Sequence, residues 1–244
     1  MRISVVTACL NRAETLPGAL RSLAAQEHGD VEHVVQDGGS TDGSLAILRR
    51  LAPEAHLRSA PDAGLYDALN RGIARARGEV VGLLHSDDAY AHPRVLSEVA
   101  AAFEADPALD GVYGDLDYVD GAGRVVRRWR AGPPGRLSLG WMPPHGALFL
   151  RARVYAALGA YDPGFRIAGD YEALLRWMRP GRIRLAHLPG TMLRMRVGGA
   201  SNGTLGRSVR RGLEDLRALR RHRVGGLGTL ALKRARKLGQ LRPV

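Results

Sequence analysis

Glu79-Val-Val-Gly-Leu-Leu-His-Ser-Asp-Asp88 is the stretch on which the reading of the chain turns. Val80 to Leu84 is an apolar run with the length and composition of a buried strand. It stops at two adjacent carboxylates, Asp87 and Asp88. In open α/β sheets, ligands bind at the carboxyl ends of the strands. Two neighbouring aspartates repel, so a site that keeps both ionised calls for a cation. A hard divalent ion with oxygen ligands and a bridging phosphate suits that need. Read alone, the pair serves equally well as a cap for a helix starting near Pro93.

The flanking segments place this strand in a series. Residues 3–8 read as a strand, and Leu16, Leu20 and Leu23 recur at helical spacing, with Pro17 in the first turn. A second strand covers 31–37, followed by the turn Gly38-Gly-Ser-Thr-Asp-Gly43. Asp42 is the expected N-cap of a helix through Leu45, Leu48 and Leu51. A short strand at 56–60, a helix at 65–76, the strand 79–85 and a helix near 93–104 complete the alternation. Such spacing predicts parallel strands joined by right-handed crossovers, the first half of a Rossmann-like α/β fold. No Gly-x-Gly-x-x-Gly follows the first strand and no Gly-x-x-x-x-Gly-Lys-Ser/Thr occurs, so neither a dinucleotide cofactor nor a P-loop is indicated.

After Gly111 the pattern changes. Residues 112–119 and 124–130 read as a hairpin about Asp120-Gly-Ala-Gly123. Pro133-Pro134 and Pro143-Pro144 bracket a loop. A short strand (146–150), helices at 153–158 and 169–178, an extended segment (185–196) and a Gly-rich loop (198–202) follow. Two basic helical stretches, 208–223 and 230–238, end the chain. The expected organisation is a catalytic domain over 1–204, with a nucleotide-binding half at 1–110 and an acceptor half at 111–204, then a basic helical segment over 205–244.

Charge follows the same division. The net formal charge is +12, of which residues 207–244 carry +10, so the first 206 residues are nearly neutral. That segment holds no Phe, Trp or Tyr to stack on bases, which argues against nucleic acid. An anionic membrane surface is the better partner for it, at about 1 kcal/mol per basic residue near the lipid. A single cysteine, Cys9, leaves no disulfide framework or cysteine metal cluster. The first residues read as a strand rather than a leader, and no apolar run reaches the ~18–20 residues of a membrane span. A cytoplasmic protein, peripheral at the inner face of the membrane, is the expectation.

Three further segments carry chemistry. Thr7, Asn11 and Asp37 lie at the carboxyl ends of the first two strands, where Asp37 can accept hydrogen bonds from a base or a ribose. Asp67 and Asn70 lie near the start of the third helix, whose N-terminus offers unpaired N–H groups. Asp170 and Glu172 open the helix at 169–178, where the helix dipole alone would favour acids.

Taken in order, Thr7-Ala-Cys-Leu-Asn11, Gln36-Asp-Gly-Gly-Ser-Thr-Asp42, Asp62-Ala-Gly-Leu-Tyr-Asp-Ala-Leu-Asn70-Arg-Gly72, Leu84-His-Ser-Asp-Asp88 and Ala168-Gly-Asp-Tyr-Glu172 resemble family 2 glycosyltransferases of the GT-A fold. The narrower resemblance is to the bacterial branch that builds O-antigen and exopolysaccharide units. The likeness covers about residues 2–202. It implies an inverting, metal-dependent hexosyltransferase that draws on a nucleotide-sugar donor. Its acceptor would be a glycan or a polyprenyl-diphosphate-linked sugar. Asp37 would hold the base, and Thr7 and Asn11 would line the nucleoside pocket. Asp67 and Asn70 are further donor candidates. Asp88 would bind Mg²⁺ or Mn²⁺, Asp87 would face the ribose or sugar, and Asp170 would be the general base. His145 and the segment from Arg194 to Ser201 would close over the donor, with Arg194 or Arg196 on phosphate.

Two departures from the family pattern stand out: His85 where relatives often have Asp, and Gly169 where many have Glu. The Gln-x-x-Arg-Trp signature of processive synthases is missing. Two other classes remain to be weighed. A sugar-nucleotide pyrophosphorylase-like nucleotidyltransferase would carry a Gly-rich basic loop after the first strand, where this chain has Cys9-Leu-Asn-Arg-Ala-Glu14. A non-catalytic nucleotide-sugar binding module would bind donor without turnover.

Overall fold

The computed structural model describes residues 1–179, 181–197 and 205–238. The first half alternates as the hydrophobic pattern requires: β1 (Ile3–Cys9), α1 (Leu16–Ala24), β2 (Val31–Asp37), α2 (Ser44–Leu51), β3 (His56–Ser59), α3 (Leu65–Ile73) and β4 (Val80–Leu83). All residues of β1 and β4 are buried, which explains their unbroken apolar runs. The second half contributes β5 (Asp88–Tyr90), α4 (Val95–Ala105), β6 (Gly111–Val119), β7 (Val125–Trp129), β8 (Leu148–Arg151), α5 (Ala152–Leu158), α6 (Gly169–Trp177), β9 (Leu185–Arg196), α7 (Leu205–Arg221) and α8 (Leu227–Leu238).

The strands form one sheet in the order β3-β2-β1-β4-β8-β6-β9-β5, with β7 paired to β6. β3, β2, β1 and β4 are mutually parallel. β8 runs antiparallel to both β4 and β6, so β6 and its parallel neighbour β9 regain the direction of β4. The carboxyl ends of six strands therefore open on one edge of the sheet. One face is covered by a core containing Val6, Val34, Leu69, Phe165, Leu174 and Trp177; the other by a core of Val5, Val80, Leu96, Val99 and Phe103.

Two local expectations are corrected. The strand expected over 79–85 stops at Leu83, and Asp88 opens a separate short strand, β5, antiparallel to β9. Asp87 and Asp88 are thus not the end of β4: Asp87 lies in the turn after it and Asp88 is the first residue of β5. Asp42 is also not the N-cap of α2. Gly43 holds that position with φ +96°, and Asp42, one residue earlier, accepts from the Ser44 N–H at 3.0 Å. A left-handed cap residue favours Gly.

Helices α7 and α8 lie against the body. Ala218, Leu219 and Leu230 join the larger core. The Glu214 carboxylate accepts from the backbone N–H groups of Ile167 (2.9 Å) and Ala168 (2.8 Å), just ahead of α6. Thr229 donates to the Ser138 carbonyl at 2.9 Å. No helix among the described residues is long and apolar enough to cross a membrane. Of the segment from Arg194 to Ser201, expected to close over a donor, residues 198–201 lie outside the described residues.

Candidate active site

The turn after β2 is built around Asp37. Its Oδ2 accepts from the N–H groups of Gly39 (3.0 Å) and Ser40 (2.9 Å) and from Ser59 Oγ (2.7 Å); its Oδ1 accepts from Ser40 Oγ (2.5 Å). Burial raises its pKa, but these donors outweigh burial and hold the carboxyl below its ordinary range. Asp37 is fully buried. In this arrangement the carboxylate is the interior post of the turn.

Thr7 is similarly internal, its hydroxyl 3.1 Å from His33 Nε2. Burial lowers the His33 pKa to about 4, so that ring is neutral at physiological pH. Asn11, exposed and at φ +52°, ties the first two loops together. Its N–H donates to Ser40 Oγ and its Oδ1 accepts from the Thr41 N–H, both at 2.9 Å. Asp67 accepts from the Ala63 N–H at 2.9 Å and pairs with Arg71 at 2.8 Å. Asn70 uses both ends of its amide on Tyr161, accepting from its N–H and donating to its carbonyl at 2.8 Å each. Asp67 and Asn70 thus hold α3 and its neighbouring loops in place.

Asp88 is different. It is 3% exposed, and its Oδ2 has no hydrogen-bond partner. Burial, then the neighbouring Asp87, raises its pKa well above the ordinary carboxylate value. A buried carboxylate oxygen without a donor is costly unless a cation meets it. Asp88 therefore fits the role of a metal ligand. No cluster of three or more His, Cys, Asp or Glu suited to a metal occurs among the described residues. An ion here would draw its remaining ligands from phosphate and water, as Mg²⁺ commonly does.

Arg194 does not share that site. It pairs with Ala89 across β9 and β5, while Asp88 pairs with Met195. Successive side chains alternate across a sheet, so Arg194 and Arg196 project to the face opposite Asp88.

Asp170, at the first turn of α6, completes the site. Its Oδ2 lies 3.3 Å from His145 Nδ1, and its Oδ1 lies 3.4 Å from the Tyr66 hydroxyl, which donates to the Ile167 carbonyl at 2.9 Å. The carboxylate keeps about a quarter of its surface open (24%). Burial raises its pKa, but His145, Lys233 and the Tyr171 N–H more than offset this and keep it ionised. The His85 ring lies 5.6 Å from that of His145, centre to centre. Burial and His145 lower the His85 pKa to about 4 against the pull of Asp87 and Asp170, so His85 is neutral. The turn at His145 also reaches Asp88: a Cβ on Gly146 would stand 3.9 Å from Asp88 Oδ2. One turn thus connects the unpaired Asp88 oxygen with the ionised Asp170.

The structure also explains Gly169. A Cβ there would stand 2.7 Å from the Tyr66 ring. Tyr66 fills the space that a glutamate would need. The sequence reading missed Tyr66 as the group that seats Asp170. It also missed Asp115 and Asp117, whose i, i+2 spacing on β6 puts both on one face. Arg130 pairs with Asp117 at 2.8 Å and His187 lies 3.0 Å from Asp115.

Comparison with known proteins agrees with this architecture. An uncharacterized glycosyltransferase of Mycobacterium tuberculosis is 35% identical over 184 residues, 71% of this chain and 68% of its own length. A PGL/p-HBAD biosynthesis glycosyltransferase of Mycobacterium bovis is 34% identical over 182 residues, covering 71% of this chain and 68% of that one. These relatives are mycobacterial, and the expected narrower branch of O-antigen and exopolysaccharide enzymes is not what they point to. Among solved structures, S. aureus TarS 1-349 in complex with UDP-GlcNAc superposes with a TM-score of 0.68 at 18% identity, covering 92% of this chain and 66% of that one. The mannosyltransferase PcManGT from Pyrobaculum calidifontis, in complex with GDP-Man and Mn²⁺, gives 0.67 at 18% identity, covering 96% and 73%. Both are GT-A folds, and the sheet described above shares their plan. Residues 4–157, more than half of the chain, match the model of glycosyl transferase family 2, and the chain belongs to that family.

Proposed function

We propose that this glycosyltransferase moves a hexose from a nucleotide-diphosphate donor to a hydroxyl of a glycan or polyprenyl-diphosphate-linked acceptor, in one displacement that inverts the anomeric centre. The process it serves would be the assembly of a cell-envelope glycan or glycolipid. The observation that carries this reading is Asp170: an ionised, partly open carboxylate fixed by His145 and Tyr66, one turn away from the unpaired oxygen of Asp88.

In this reading Asp170 accepts the proton of the acceptor hydroxyl as that oxygen attacks the anomeric carbon. His145 holds the carboxylate in orientation, and Tyr66 sets its height above α6. Asp88 would hold Mg²⁺ or Mn²⁺. When bound, that ion neutralises charge gathering on the departing nucleotide diphosphate. The turns about Asp37 and Asn11 shape the donor end through their backbone, and Asp87 faces the ribose or sugar. Residues 1–110 serve the donor and 111–204 the acceptor. Residues 207–244 meet an anionic membrane surface. Val209 and Leu213 are exposed on α7 beside its arginines, an arrangement suited to the lipid interface. Further support comes from relatives: TarS was solved with UDP-GlcNAc, and PcManGT with GDP-Man and Mn²⁺.

The test is nucleotide release from a panel of nucleotide sugars, with Mn²⁺ or EDTA present. The expected outcome is free nucleoside diphosphate, formed with Mn²⁺ and suppressed by EDTA. Release of inorganic diphosphate from a sugar 1-phosphate and a nucleoside triphosphate, supplied in a parallel assay, would instead indicate a nucleotidyltransferase, and binding without turnover a non-catalytic module.

A further inference from the structure

Between β7, the loop at Gly140 and α8 lies a cavity of about 280 Å³ that the mechanism above does not use. Five cationic side chains line it: Arg128 from β7 and Arg130 just after it, and Lys233, Arg236 and Lys237 from α8. No acidic side chain does. Arg130 follows directly on the last residue of β7, two residues after Arg128. Arg130 is neutralised by Asp117 at 2.8 Å, and Lys233 by Asp215 at 2.9 Å. Among the described residues, no carboxylate lies within 4.0 Å of the charged groups of Arg128, Arg236 or Lys237, though Asp215 partly offsets the crowding at Lys237. Burial, and crowding by Lys233 and Arg211, bring the Lys237 pKa down to about 8. Gathered cations of this kind are relieved by a multivalent anion.

The cavity lies close to the candidate base, whose carboxyl feels the charge of Lys233. Lys233 Nζ stands 3.2 Å from the centre of the Tyr171 ring, and Tyr171 follows Asp170 directly. Trp141 and Met142, on the opposite wall, lead in three residues to His145, which holds Asp170. The enclosure is also fixed in place: Arg236 Nε donates to the Leu139 carbonyl at 3.0 Å, and Gly140, at φ +72°, lets the α8 backbone approach in a way no side chain would permit.

We infer that this cavity binds the phosphate or diphosphate group carried by the acceptor, so that α8 is part of the acceptor site. This deepens the transferase reading and rests on it for the word acceptor; the anion site itself does not depend on turnover. A diphosphate ester matches the cluster in charge and in number of acceptor oxygens, and guanidinium groups suit its geometry.

The test is calorimetric titration of the full chain with inorganic pyrophosphate while saturating UDP or GDP occupies the donor site. The wild type is expected to bind pyrophosphate under these conditions. Arg128→Ala/Lys237→Ala is expected to weaken binding at least tenfold, and Lys237→Arg to retain it. Arg128 is exposed and Lys237 half-buried, and thermal melting checks the fold. Two further arms identify the source of the anion. Farnesyl diphosphate binding that falls with the double variant supports a lipid diphosphate acceptor. Loss of binding only to pyrophosphate and to phosphatidylglycerol vesicles supports the anion site but assigns it to bilayer headgroups. Equal pyrophosphate affinity in wild type and double variant, or displacement of pyrophosphate by UDP and GDP, overturns the inference. Neither outcome bears on donor cleavage, which is measured separately.

Discussion

Asn70 illustrates how one side chain changes meaning once its partners are known. Its amide closes two hydrogen bonds on the Tyr161 backbone. Asn70→Ala leaves a backbone donor and an acceptor without partners, at a cost of about 1–3 kcal/mol. Urea denaturation is expected to register that loss, while calorimetry finds nucleotide affinity unchanged. A large fall in affinity with stability intact would return Asn70 to the donor site. Acidic positions in the sequence marked where the site would be, but not which carboxylates stay available to a ligand. Asp37, Asp67 and Asp88 look alike as letters. The first is enclosed by serine and backbone donors, the second paired with Arg71, and only the third is left with a bare oxygen. That distinction arises from donors brought from distant segments, which local pattern does not carry.

Among the elements, α3 and α6 meet where Gly169 faces Tyr66. A methyl group at Gly169 overpacks this contact, and such insertions cost about 1–3 kcal/mol. Gly169→Ala is therefore expected to destabilise the protein and to disturb Asp170 beside it. In a Tyr66→Ala background the same substitution is expected to cost less, a coupling that a double-mutant cycle in denaturant measures. Equal costs in both backgrounds would show that the two residues do not contend for one space. The strands and helices of the first half were legible because period and turn chemistry agree there. β5 was not, being three residues long and paired in the sheet with β9, more than a hundred residues away. The same pairing decided the direction of Arg194, since alternation is fixed by register and register is not written locally.

For the whole molecule, the parallel strands open their carboxyl ends on one edge, and the site collects there from α3, the His85–Asp88 bend, the His145 turn and α6. The charge asymmetry of the chain was evident from composition. Its consequence was not, because α8 contributes Lys233, Arg236 and Lys237 to a cavity whose other wall lies about a hundred residues earlier. The segment that composition marks as a basic appendage is joined to the body by Glu214 at the start of α6 and by Ala218, Leu219 and Leu230 in the core. The centre of the account remains the assignment of proton transfer to Asp170. The most direct measurement is the turnover of Asp170→Asn, with nucleotide-sugar affinity determined separately by calorimetry. A fall of about 10²–10⁴-fold in kcat with donor affinity preserved is the expected result for loss of a general base. Turnover close to that of the wild type would contradict the account.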